Sequence, residues 1–191
     1  MEKTLMHTCC APCSVSCIQQ LRSEGIEPVA YWYNPNIHPY QEYKARRDTL
    51  MAYAPTSAWS LLCRRIMACG SSAGRSAGTS TTAAACAMPC GWPKRPNMPP
   101  GTAMTASPPP AGEPYQNHEL LAETAERMGR EYGVRFLYRD FRPGFRQGQQ
   151  EARALGFYMQ KYCGCVFSEE DRYQKQILRD QKEPEKHILP S

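Results

Sequence analysis

An α/β fold built on a parallel sheet is predicted by three features of this sequence. Short runs rich in branched and aromatic residues alternate with longer helical stretches. Glycine and Asn-Pro signals separate them. A thiol-rich turn, Thr8-Cys9-Cys10-Ala11-Pro12-Cys13, stands where the first apolar run gives way to a helix. Open α/β sheets bind their ligands outside the carboxyl ends of the strands, so that turn is the first place to look for chemistry.

Taken in order, a strand is expected over Thr4 to Thr8 and a helix near Ser14 to Ser23, closed by a turn at Gly25. Pro28 to Tyr33 reads as a second strand, followed by a loop at Asn34-Pro35-Asn36. Pro39 suits the first turn of a helix running to Tyr53. After residue 112, Pro114 to Tyr132 has a helical stripe of Leu120, Leu121, Thr124 and Met128 and ends at Gly133. Val134 to Tyr138 alternates as a strand, Arg142-Pro143-Gly144-Phe145 is a loop, and Gln147 to Leu155 is a helix. Ser168 with Asp171 is expected to cap a last helix. Residues 1–180 are thus expected to be one α/β domain, and 181–191 a loose polar tail.

Ten cysteines in 191 residues suit a disulfide scaffold only in a much shorter secreted chain. Here they point to a reducing cytosol with metal ligation or dithiol chemistry. There is no leader pattern and no 18-residue apolar stretch, so the chain is read as cytoplasmic. The net charge of +5 comes from five basic residues between Thr56 and Gly112, where no acidic residue occurs. Bulk charge therefore argues little for nucleic acid, and Arg135, Arg139, Arg142 and Arg146 remain as candidate phosphate contacts.

The region from 56 to 112 breaks the pattern. It holds eight prolines and six glycines, with neither a helical nor a strand period, and is expected to build no packed layer. A structureless loop of that length inside one domain is unusual.

Two thiol groups draw attention. Cys9, Cys10 and Cys13 cluster before a helix whose free N–H groups favour thiolates, and thiolates bind metals. Any one of them, taken alone, is as ordinary as a core cysteine, and Cys17, one turn further on, is assigned to the core. Cys163-Gly164-Cys165 can close a small, reducible disulfide or be two unrelated cysteines in a turn. Tyr31, Trp32, Tyr33 and Tyr158 are candidate stacking platforms for an unpaired base.

These pieces together resemble the QueH family of epoxyqueuosine reductases. The resemblance is carried by H-T-C-C-A-P-C from His7, by A-Y-W-Y-N-P-N-I-H-P-Y from Ala30, by Phe136-Leu137-Tyr138-Arg139-Asp140-Phe141-Arg142-Pro143-Gly144-Phe145, and by Y-M-Q-K-Y-C-G-C from Tyr158. It covers residues 3–54 and 114–173. It implies a Rossmann-like, adenine-nucleotide-hydrolase-like fold, a [4Fe-4S] cluster, and reduction of epoxyqueuosine to queuosine at the wobble position of tRNA. In the family's pattern the cluster ligands come from the Cys-Cys pair, here Cys9 and Cys10, and from an R-C-x-x-C-Y motif. The C-G-C pair, here Cys163 and Cys165, is its redox-active dithiol. Cys13 is a candidate ligand for an additional iron, and His7 or Asp140 a candidate proton donor.

Other readings of the same residues stay open. A zinc-stabilised interaction module also uses clustered cysteines. An ATP-using relative of the same fold needs a glycine- and serine-rich cradle, where this chain has proline and thiols. The R-C-x-x-C-Y motif is absent as written: Cys86 and Cys90 are separated by three residues. Read two bases later, codons for Thr82 to Arg95 can encode R-C-x-x-C-Y-A-L-R-L, so the segment is expected to be a frameshift, and an inactive, frame-disrupted product is the other alternative to the reductase. Sequencing the gene across codons 54–115 should reveal indels near codons 55–57 and 111–114 whose correction restores that motif. A confirmed uninterrupted frame would refute the frameshift.

Overall fold

Five strands, β1 (Lys3–His7), β2 (Pro28–Trp32), β3 (Leu61–Cys63), β4 (Thr102–Ala106) and β5 (Arg135–Phe136), form one parallel sheet in the order β3-β2-β1-β4-β5. The computed structural model that shows this describes residues 3–63, 102–106, 118–162, 164 and 166–180. Helices α1 (Ala11–Ser23), α2 (Tyr40–Thr56), α3 (His118–Tyr132), α4 (Phe145–Ala154) and α5 (Val166–Asp180) complete the described elements, with a 3₁₀ turn at Arg142–Gly144. The α/β architecture expected from the sequence is the one observed. Among the described residues no helix is long and apolar enough to cross a membrane.

Covering a parallel sheet on both faces requires its inner strands to be apolar on both sides. In β1, Leu5 packs with Tyr31, Met104, Ala125, Met128 and Val134 on the α3 face. Met6 points the other way, into a core with Ala30, Trp32, Ile18, Leu21 and Leu50. The same period of two turns Tyr31 and Trp32 to opposite faces, and both are buried. They are therefore core residues, which corrects their reading as stacking platforms; Tyr33 is half-buried and Tyr158 is exposed.

Several boundaries shift for local reasons. Helix α1 begins at Ala11, three residues early, because Pro12 falls in its first turn, where its missing N–H costs nothing. Helix α4 likewise starts at Phe145, straight out of the 3₁₀ turn. The strand expected over 134–138 is only Arg135–Phe136, and Ser168 lies inside α5 rather than at its cap.

The expectation that nothing between 56 and 112 joins a packed layer is corrected at three places. Trp59 is 4% exposed and donates its indole N–H to Pro28 O at 2.8 Å. Strand β3 pairs with β2, and β4 pairs with both β1 and β5. An Ala- and Thr-rich segment suffices for β4, because a strand between two neighbours is held by its backbone ladder and needs only small side chains to pass under a helix. Residues 64–101, 107–117 and 181–191 lie outside the described ones.

Helix α1 is pressed between β2, α2 and α4. Its closest approach is at Gly148 of α4, where a Cβ would stand 2.8 Å from Ser16 Oγ and 3.1 Å from Ser16 N. Alanine there gains about 1 kcal/mol of helix propensity but meets overpacking of about 1–3 kcal/mol. Gly148→Ala should therefore lower the urea midpoint, by a net loss on the order of 1 kcal/mol. A midpoint at or above wild type would show that the helix pair can open without cost.

Candidate metal centre

Strand β1 ends at His7, and the chain turns through Thr8, Cys9 and Cys10 into α1. The turn is fixed from several sides. Thr8 N donates to Tyr31 O at 3.0 Å, Thr8 Oγ1 to Met6 O at 3.0 Å, and Asn34 Nδ2 to Thr8 O at 2.9 Å. Ser14 Oγ donates to Cys10 O at 2.7 Å. Cys10 occupies the N-cap position in an extended conformation with no side-chain cap bond, so its thiol is left to face the other sulfurs. This is the carboxyl end of the central strand, beside the point where the strand order reverses between β1 and β4.

The Sγ atoms of Cys9, Cys10 and Cys13 all lie within 4.8 Å of one another, Cys9 and Cys10 being 3.8 Å apart. Cys10 and Cys13 are buried and Cys9 is half-buried. Two thiolates on one tetrahedral ion, with bonds of about 2.3 Å, stand about 3.8 Å apart. An all-sulfur donor set suits zinc or iron, so the residues present fit a metal. Cys17 is the core residue it was expected to be, with its thiol donating to Cys13 O at 3.0 Å.

The three thiols are not equivalent. Hydrogen bonding from Cys10 and Cys13 outweighs burial and holds Cys9 well below the usual thiol range, with Arg46 and His7 adding to the effect. Burial pushes Cys10 up, and Cys13 is pushed up by the bonds it gives Cys10 and Cys9 and by burial. Ionisation is thus favoured at Cys9 and opposed at Cys10 and Cys13. His7 Nε2 lies 3.1 Å from Tyr33 O, and burial lowers its pKa, favouring neutral imidazole.

Two features of this pocket were not read from the sequence. Gln160 Nε2 lies 2.8 Å from Cys10 Sγ and 3.3 Å from Cys13 Sγ, while its Oε1 is buried without a hydrogen-bond partner among the described residues. Behind the thiols, Arg46 is 1% exposed and pairs with Glu42, itself 7% exposed, at 2.6 Å. Tyr158 donates its hydroxyl to the same carboxylate, and burial with that carboxylate pushes the phenol up to about 12. Burial opposes the charge on Arg46, but Cys10, Cys9 and Glu42 outweigh it and raise its pKa. The readable signal was the line Glu42, Arg46, Leu50, Ala54, which puts an ion pair on the buried stripe of α2.

Other candidates fall elsewhere. Asp140 accepts from the Arg142 backbone N–H at 3.0 Å and from its guanidinium at 2.8 and 2.7 Å, the arrangement of a loop cap. Arg139 pairs with Glu24 at 2.6 Å. Cys163 and Cys165 lie outside the described residues, as do Cys86 and Cys90. Gly164 between the first two is described: its φ of +116 suits glycine, and His38 N donates to its carbonyl at 2.7 Å.

A family model described as epoxyqueuosine reductase QueH matches residues 4–72 and 102–171. The chain is 30% identical over 183 residues to the epoxyqueuosine reductase QueH of Dehalococcoides mccartyi, covering 91% of this chain and 96% of that one. It is 28% identical over 192 residues to that of Thermotoga maritima, covering 92% and 94%. A shorter stretch of 53 residues is 46% identical to the Haemophilus influenzae protein, over 28% of this chain and 22% of that one. The match reaches further into the irregular region than residues 54 and 114 and leaves out 73–101. In metal-free protein at neutral pH, iodoacetamide should label Cys9 well before Cys17, read by fragmentation of the tryptic peptide. Equal labelling would refute the charge assignment.

Proposed function

Because this chain belongs to the epoxyqueuosine reductase QueH family, we propose that its three-thiol turn is the metal end of a two-electron epoxide reduction on tRNA. The protein is an oxidoreductase by family. The supporting observation is the convergence of Cys9, Cys10 and Cys13 at the carboxyl end of β1. Converting an epoxide to an alkene releases the oxygen as water and consumes two electrons and two protons. Cys9 and Cys10 would hold a [4Fe-4S] cluster, and Cys13 an additional iron. The two further cluster ligands of the family's pattern are absent as written. A bound cluster supplies electrons one at a time, and an iron with an open position a Lewis acid.

This chain's own residues account for the rest. Cys163 and Cys165 are the dithiol that stores a pair of electrons: on closing to a disulfide they release two electrons and two protons. Gln160 gives its amide N–H to Cys10 and Cys13, which orients both sulfurs. Thr8, Asn34 and Ser14 fix the turn so that the sulfurs face one point. The substrate nucleoside, in a single-stranded anticodon loop, is of the kind that proteins read by stacking and edge hydrogen bonds, and half-buried Tyr33 and exposed Tyr158 remain as platforms.

A second reading, a zinc-stabilised interaction module, is favoured by one observation, the 3.8 Å sulfur separation suited to a single ion. Anaerobic purification of the frame-corrected protein separates the two. Brown protein that loses iron and activity in Cys9→Ala and Cys10→Ala, but keeps iron while multiple turnover of epoxyqueuosine-containing tRNA falls at least tenfold in Cys163→Ser and Cys165→Ser, is the expected outcome. Colourless protein with stoichiometric zinc would establish the module instead. Loss of iron in the serine variants would make that pair ligands.

A further inference from the structure

The turn that gathers the three thiols also has the layout of a redox dithiol. In Cys10-Ala11-Pro12-Cys13 two cysteines stand two residues apart at the mouth of a strand-to-helix crossover. Cys10 is the N-cap of α1, in extended backbone, and Cys13 lies three residues on, in the first turn. An N-cap side chain points across the open end of its helix towards that third residue. Cys10 makes no side-chain cap bond, so its sulfur meets the sulfur of Cys13. Gln160 Nε2 touches both at once, at 2.8 and 3.3 Å. Pro12 fixes φ between them, so the short loop has little freedom to lose when its ends join. Cys9 differs. Its sulfur is 3.8 Å from that of Cys10, but a bond between chain neighbours closes a small ring across their shared planar peptide and strains it. It is also the thiol that solvent reaches, being half-buried where Cys10 and Cys13 are buried. Cys17 is turned away, onto Cys13 O.

We propose that in the metal-free chain Cys9, Cys10 and Cys13 form a thiol relay, in which Cys9 takes the oxidant and the disulfide settles between Cys10 and Cys13. The relay is separate from the dithiol assigned above and holds whichever metal the turn binds. With glutathione disulfide as oxidant, the Cys9 sulfur attacks one glutathione sulfur and the S–S bond breaks. One glutathione leaves as thiolate and takes up the proton that Cys9 gave up. A neighbouring thiol then displaces the second glutathione from Cys9. Exchange among the three sulfurs moves the bond to Cys10 and Cys13, the pair that the backbone joins without straining a single peptide, and Cys9 returns to a thiol. The protein has lost two electrons and two protons, and one glutathione disulfide has become two glutathione thiols. A closed disulfide offers no thiolate, so oxidation and metal exclude one another at this turn.

The test uses the full chain, freed of metal by dialysis against a chelator and held in glutathione disulfide without oxygen at neutral pH. After acid quenching, free thiols are blocked with iodoacetamide, and disulfides are then reduced and labelled with N-ethylmaleimide. The tryptic peptide Thr4 to Arg22 carries Cys9, Cys10, Cys13 and Cys17, and its fragmentation reads each label. Maleimide should appear on Cys10 and Cys13, with iodoacetamide on Cys9 and Cys17. Cys9→Ser should form the same disulfide at least about tenfold more slowly, while its equilibrium constant with glutathione stays within about threefold of wild type. Cys13→Ser should stop at a glutathione adduct on Cys9. One equivalent of zinc added first should slow oxidation at least about tenfold, and the oxidised chain should take up zinc only after reduction. Maleimide on Cys9 with Cys10, or on no pair within this peptide, would overturn the proposal. An unchanged rate in Cys9→Ser, or zinc bound equally by oxidised and reduced chain, would overturn it as well.

Discussion

Everything at the candidate site depends on β1 being paired on both edges and covered on both faces. A strand with β2 on one side and β4 on the other cannot slip by one residue without exchanging Leu5 and Met6 between two filled cores. Its last carbonyls and the following turn are therefore delivered to one place. Thr8, Cys9 and Cys10 inherit that precision, and α1 starts from it with its N–H groups facing the sulfurs.

Precision alone does not make a thiol pocket reactive; the surroundings set its charge. Desolvation raises the cost of every thiolate, so a lone cysteine in a dry pocket stays a neutral thiol. Here hydrogen bonds from Cys10 and Cys13 outweigh burial at Cys9, and Arg46 and His7 add to them. Gln160 meets the other two sulfurs. The arrangement gathers three soft sulfur donors of unequal acidity at one point, and metal binding there would release protons from the thiols.

How much of this could be read beforehand follows from the range of the interactions. The first two strands, α1 and α2 were legible because period and turn chemistry are local. The three thiols were legible because they are neighbours in sequence. Gln160 was not, since it reaches Cys10 across 150 positions, and an amide in a polar motif carries no mark of its target. The Glu42 and Arg46 pair has in sequence only the four-residue spacing that exposed helix pairs share, since tertiary packing alone buries it. Tyr31 and Trp32 were misjudged for a related reason: an aromatic type suggests a platform, but a central strand hides both of its faces. Strand β4 was hidden by its composition, because pairing through the backbone leaves almost no signature in residues as small as Ala103 and Thr105.

The sheet has a further property in how it meets other molecules. Its outermost described strands are its shortest, with three residues in β3 and two in β5, while the five-residue strands lie inside. A rim that offers so few open backbone donors and acceptors is a poor template for another extended chain. For a protein whose sequence includes a long stretch rich in alanine, threonine and serine, that brevity limits one route to self-association, the growth of the sheet from molecule to molecule.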